Sequence, residues 1–148
     1  MGITTAYVKD MFESAIISRT IIPDDLEDIW LKRAVARYAF EIYPITYDES
    51  EGTITVPTFD ALTDDDVKNT LYEITADTLA LYMQLFWKER DKARINNRSQ
   101  IVTKDLSLNG GGAIYSAVKS DYEQIQADIA DHIQKLKTPA YSSTEEED

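Results

Sequence analysis

TDDDVKNTLYEITADTLALYMQLFWKERDKARI, residues 63–95, decides how the chain folds. At helical spacing it carries two adjacent apolar stripes. One is Val67, Leu71, Ile74, Leu81 and Leu85, with Thr78 among them; the other is Tyr72, Ala76, Leu79, Met83 and Phe86. A surface helix buries one stripe against the core. Two neighbouring stripes require packing on two sides and leave only the ribbon Asp66, Glu73, Asp77, Gln84, Lys88 for water. The helix is therefore expected between other helices. Thr63 is its expected N-cap, and Asp64, Asp65 and Asp66 suit the positive end of the helix dipole. Lys88, Arg90, Lys92 and Arg94 suit the negative end before Asn96 and Asn97 break the pattern. Such a helix spans roughly 45 Å at ~1.5 Å per residue.

The flanking chain supplies the partners. Tyr7, Val8, Met11, Phe12, Ala15 and Ile16 recur at helical spacing, which predicts a short amphipathic helix within 1–18, capped by Thr4 or Thr5 and closing the domain's own core or docking a partner. Pro23 fits the first turn of the next helix, and Asp24 with Glu27 resembles a capping box. That helix, 24–42, carries Leu26, Trp30, Ala34 and Tyr38 on one line and Leu31, Val35 and Ile42 on a neighbouring one. Lys32, Arg33 and Arg37 cluster on it, as a solvated face or a partner-facing strip. A last helix over 113–136 follows from Ile114, Val118, Tyr122, Ile125, Ile129, Ile133 and Leu136.

Two segments break the helical period. Residues 45–56 read as a β-hairpin, with Tyr47 and Ile54 on its strands, a polar Asp48-Glu49-Ser50-Glu51-Gly52 tip, and Pro57 as the stop. A hairpin alone is marginal in water, so this one is expected to lean on helices or to be completed by another chain. Residues 96–112 read as a long extended arm between the last two helices. Val102, Lys104, Leu106 and Leu108 alternate with Ile101, Thr103, Asp105 and Ser107, and Asn109-Gly110-Gly111-Gly112 supplies a hinge. Its apolar residues favour burial against a neighbouring subunit over disorder.

The resulting expectation is a mainly α domain over 1–138, an antiparallel bundle of about four helices with a small β-hairpin, followed by an acidic tail over 139–148. The tail, with Tyr141 ahead of Glu145, Glu146, Glu147 and Asp148, reads as solvated chain or as a segment anchored by Tyr141 in a partner groove. A formal charge of −12 over 148 residues disfavours tight nucleic-acid binding, which needs a basic surface. The sequence shows neither a membrane span nor a signal peptide. With no cysteine, disulfides, thiolate metal sites and a cysteine nucleophile are excluded.

No catalytic constellation emerges, and the chain is read as a non-enzyme without cofactor or metal. Asp64–Asp66 are explained by helix initiation rather than cation binding. His132 is the only histidine and borders the apolar line of the last helix, as a core or interface residue. Ser107 and Ser116 lack an activating motif. The triple glycine is followed by Ala113 and Ile114 where a phosphate loop needs lysine and a hydroxyl residue. Lys88, Arg90, Lys92, Arg94, Arg98 and Lys104 form the one local excess of positive charge, diluted by Glu89 and Asp91; they are explained by dipole complementarity or by contact with an acidic hairpin tip on another subunit.

The order short helix, long aromatic helix, hairpin, long helix of mixed-charge end, KDLSLNGGG-type arm and final helix resembles the head-to-tail adaptor (connector) proteins of tailed bacteriophages. The residues carrying the resemblance are 90–98, the Ile101-to-Leu108 arm and the 113–137 helix. It implies a structural protein at the virion neck: a homo-oligomeric ring, commonly a dodecamer, under the portal protein and joined to the next neck or tail-completion protein. Extended loops and chain termini make the junctions in that family. Ile101, Val102, Lys104, Leu106, Leu108, Tyr47, Ile54, Arg94, Arg98 and Tyr141 are the expected interface residues. The acidic walls would let DNA pass without holding it. Two other classes compete: a non-enzymatic regulatory or inhibitory binding module, and a hydrolase using paired carboxylates, for which no converging pair is evident.

Overall fold

A computed structural model describes residues 2–16, 22–105 and 109–137, with the backbone alone for 91–105 and 109–118. The described chain is mainly helical with a small three-stranded antiparallel sheet. In order it runs β1 (Ile3–Thr4), α1 (Thr5–Ala15), α2 (Asp24–Glu41), β2 (Thr46–Asp48), β3 (Thr53–Thr55), α3 (Pro57–Asp60), α4 (Asp65–Asp105) and α5 (Asn109–Lys137).

The long helix starts where acidic residues place it, one position later than expected. Asp64, not Thr63, caps α4: its Oδ1 accepts from the Asp66 amide at 2.9 Å and the Val67 amide at 3.3 Å. A carboxylate brings charge as well as an acceptor to the positive dipole end, which a threonine hydroxyl cannot. From there both expected stripes are used. Leu71, Tyr72, Ala76, Leu79, Tyr82, Met83, Leu85 and Phe86 are buried, and α4 packs against α1, α2 and α5. The ion pair of Lys88 with Asp121, the Tyr122–Glu89 hydrogen bond and the Thr78–His132 contact show α5 running antiparallel to α4.

The cap of α1 is Thr4, whose side chain accepts from the Tyr7 amide, and Val8 and Phe12 point inward. The capping box of α2 is not formed. Pro23 is the N-cap without a side-chain bond, and Glu27 is buried instead. Residue 27 shares its helical face with Trp30, Leu31 and Ala34, so reaching back to the cap would require leaving the core face.

The hairpin forms as expected, with Gly52 at φ 67° in the turn. Its completion comes from within the chain. Ile3 pairs with Ile54 and Thr4 with Thr53, giving the order β1-β3-β2. Close approach fixes glycine beside this pairing, because a Cβ at Gly2 would lie 2.7 Å from the Ile54 carbonyl oxygen. An aromatic row then joins sheet to helix. Phe59 of α3 meets Tyr43 and Tyr72 edge-on, both at 5.6 Å between ring centres. The Tyr72 hydroxyl accepts from the Val56 amide at 3.0 Å and donates to Asp60 Oδ1 at 2.7 Å.

The extended arm is overturned. α4 continues as helix through Asp105 and α5 begins at Asn109, so 96–105 is helical and 109–112 opens a helix rather than a hinge. Through Asp105 the alternation is short, and elongating an existing helix avoids the cost of nucleation. Glycine costs ~1 kcal/mol against alanine in a helix, a preference that a neighbouring helix can override. At 41 residues α4 is about 60 Å long. Leu106 and Leu108 lie outside the described residues. Tyr141 and the rest of the 139–148 tail do so too, and the side chains of Arg94, Arg98, Ile101, Val102 and Lys104 are not described.

Candidate functional site

The hairpin is the first candidate surface, and its two expected interface residues separate. Ile54 is fully buried in its own chain, opposite Ile3, and presents nothing to a partner; Tyr47 beside it is half-buried. An inward position on the middle strand of a completed sheet explains the burial. The acidic tip is locally organised. Asp48 Oδ1 accepts from the Ser50 hydroxyl at 2.7 Å and from the Ser50 and Glu51 amides at 3.0 and 3.1 Å. These bonds hold its carboxyl below the usual carboxylate range. Glu49 meets Lys32 of the same chain at 3.1 Å.

The basic residues of α2 follow. The Arg33 guanidinium lies 4.1 Å from the centre of the Phe86 ring. Arg37 covers Tyr82 at 5.1 Å and pairs with Glu41 at 3.0 Å. The same Glu41 accepts from the buried Tyr82 hydroxyl at 2.9 Å; burial first, and this bond second, raise the phenol's pKa. The cluster thus seals the seam between α2 and α4 while its charged heads face water. Beside it lies a feature missed by the sequence reading. Phe40 is 91% exposed and Ile29 53% exposed. With Arg33 and Ala36 they form the line 29, 33, 36, 40, opposite the buried face of α2. The helical period that marks the buried lines marks this one too, on the side away from the core.

His132 sits half-buried between α5 and α4 at a hollow of about 200 Å³ lined in part by Met11, Asp77, Gln84 and Asp128. The Thr78 hydroxyl donates to the Ile74 carbonyl at 2.6 Å, so it accepts from His132 Nδ1 at 3.3 Å. Burial raises the Asp77 pKa, opposed by His132 and reinforced by Glu73. Among the described residues no hydroxyl, thiol or amine side chain lines the hollow, and no group of three or more His, Asp or Glu side chains can hold a metal ion. Asp64 is occupied in capping α4.

Glu27 is the most perturbed carboxyl. It is 1% exposed and its Oε1 lacks a hydrogen-bond partner. Burial, a hydrogen bond with Glu13 and the charges of Glu13 and Asp24 raise it to about 7, against the pull of Lys9. Lys9 itself pairs with Asp28. Between about 4.5 and 7 the folded chain holds a proton that the unfolded chain has released, so stability falls as pH rises through that window. The expected loss is about 1–3 kcal/mol, read as the difference in urea midpoints between pH 5 and pH 8. Glu27→Gln, which mimics the protonated form, is expected to flatten that difference.

Among the described residues no helix is long and apolar enough to cross a membrane. Compared with models of known protein families, with curated proteins and with solved structures, the chain matches none.

Proposed function

We propose that the chain is a structural subunit of a tailed-bacteriophage neck, a helical bundle around α4 that assembles as a ring beneath the portal protein. The ring joins the portal to the next neck or tail-completion protein and leaves a channel for DNA. The observation that carries this reading is the length of the α4–α5 pair. α4 runs for 41 residues, about 60 Å, and α5 packs antiparallel against it for 29, about 44 Å. A pair of that length in a chain of 148 residues suits a contact surface for another subunit. Ile101 and Val102 lie near the C-terminal end of α4, and Leu106 and Leu108 follow in the sequence.

One further feature supports the reading: the net charge of −12 suits a channel through which a polyanion passes without adhering. Tight duplex binding at low salt would count against that channel.

The exposed Ile29–Phe40 line favours a second reading, a monomeric regulatory module that occludes one partner. Size-exclusion chromatography with light scattering of the full chain, alone and with purified portal rings, separates the two. A ring, or a complex with portal of fixed stoichiometry, is the expected result. A chain that remains monomeric and leaves the portal peak unshifted overturns the neck reading.

A further inference from the structure

We propose that the acidic C-terminal segment of the chain, residues 139–148, docks in cis on the exposed face of α2. The face is built for an acidic, aromatic-bearing strand. Ile29, Ala36 and Phe40 supply an apolar line with no acid in it, flanked by Lys32, Arg33 and Arg37; the ion pairs of Lys32 with Glu49 and of Arg37 with Glu41 are exposed and can exchange for the carboxylates of the tail. Arg33 makes no ion pair among the described residues, its guanidinium lying over Phe86 instead. Phe40, at 91% exposure, is the most exposed large apolar side chain described.

The last described turn of α5 lies near the C-terminal end of α2. α5 ends at Lys137, and the Leu136 carbonyl accepts from the hydroxyl of Tyr43, two residues beyond the end of α2, at 3.5 Å. From Lys137 to Asp148 eleven residues reach about 36 Å when extended. Phe40 to Ile29 spans only about 16 Å of helix. The tail can therefore round the C-terminal end of α2 and run back along it.

Running in that direction, its chemistry matches the face in order. Tyr141, four residues past Lys137, comes level with Phe40. Ser142, Ser143 and Thr144 cross Ala36, and Glu145 to Asp148 reach Arg33 and Lys32, with Arg37 beside the path. Aromatic contact anchors one end, and charge-assisted hydrogen bonds hold the other.

Amide chemical shifts of the isotopically labelled full chain test this, compared with full-length Phe40→Ser and Lys32→Glu/Arg33→Glu variants. All three substituted positions are exposed, and retained shifts in the α4 core verify the fold. In the unsubstituted chain, 141–148 are expected to depart from free-coil shifts independently of protein concentration. Each variant, or 0.5 M salt for the acidic end, is expected to reduce the docked population at least tenfold. Free-coil shifts throughout the tail of the unsubstituted chain overturn the proposal. So does docking that strengthens with protein concentration, which would make the occupant the tail of a second copy. The test is independent of portal binding, so its failure leaves the neck reading untouched.

Discussion

Phe59→Ala is expected to destabilise the domain by about 3–5 kcal/mol, the range for emptying a buried aromatic site. The ring is 1% exposed and stands between Tyr43 and Tyr72 in an edge-to-face row. That row connects three parts of the chain: the end of α2, the turn after β3 and the first turns of α4. Removing it leaves a void and loosens the Tyr72 hydroxyl, which serves the Val56 amide and Asp60 together. Burial chiefly, with the Asp60 bond adding to it, raises that phenol to about 12, so the hydroxyl stays a donor at any pH used for unfolding. Phe59→Leu retains much of the volume and is expected to cost less than Phe59→Ala. Urea midpoints read both. A loss under about 1 kcal/mol for the alanine variant would mean that the row does not tie sheet to helix.

The second large effect concerns the C-terminal end of α4 and the residues that follow it. Under the proposed assembly, Val102→Asp combined with Leu106→Asp is expected to weaken subunit association at least about a hundredfold, roughly 2.7 kcal/mol, by burying charge where apolar contact is needed. The melting curve of the unassembled chain should stay within about 0.5 kcal/mol of its original stability, as substitutions away from the core usually do. Unfolding in place of lost assembly would place these side chains in the chain's own core, and the proposed contact surface would disappear with it.

The contrast between α4 and its continuation explains what the sequence disclosed. Between Leu71 and Phe86 both apolar stripes run for several turns, too long to satisfy any other period, and the structure buries them on two sides. Gly52 and the polar tip around it likewise permit little besides a turn. From Ile101 to Leu108 the apolar residues are few, and spacings of two, four and seven suit strand and helix alike. Local pattern could not choose; as far as Asp105 the preceding helix did.

Other features depended on distant partners. β1 is two residues long, too short for any alternation, and exists because Ile54 and Thr53 are there to pair with it. Asp24 and Glu27 have capping-box spacing, but spacing carries no information on which face meets the core, and burial prevailed for Glu27. On the candidate surfaces, Lys32, Arg33 and Arg37 were visible as a cluster, whereas their seats against Glu49, Phe86 and Glu41 required the fold. Ile54 was misassigned to an interface because the third strand was missing from the expectation.

Amide hydrogen exchange over 96–112, in the free chain and in its complex with portal rings, tests the assembly account most directly. The account predicts that exchange there slows at least tenfold once the complex forms, while the α4 core around Leu79 is unchanged. A formed complex in which 96–112 exchanges as fast as in the free chain would contradict it.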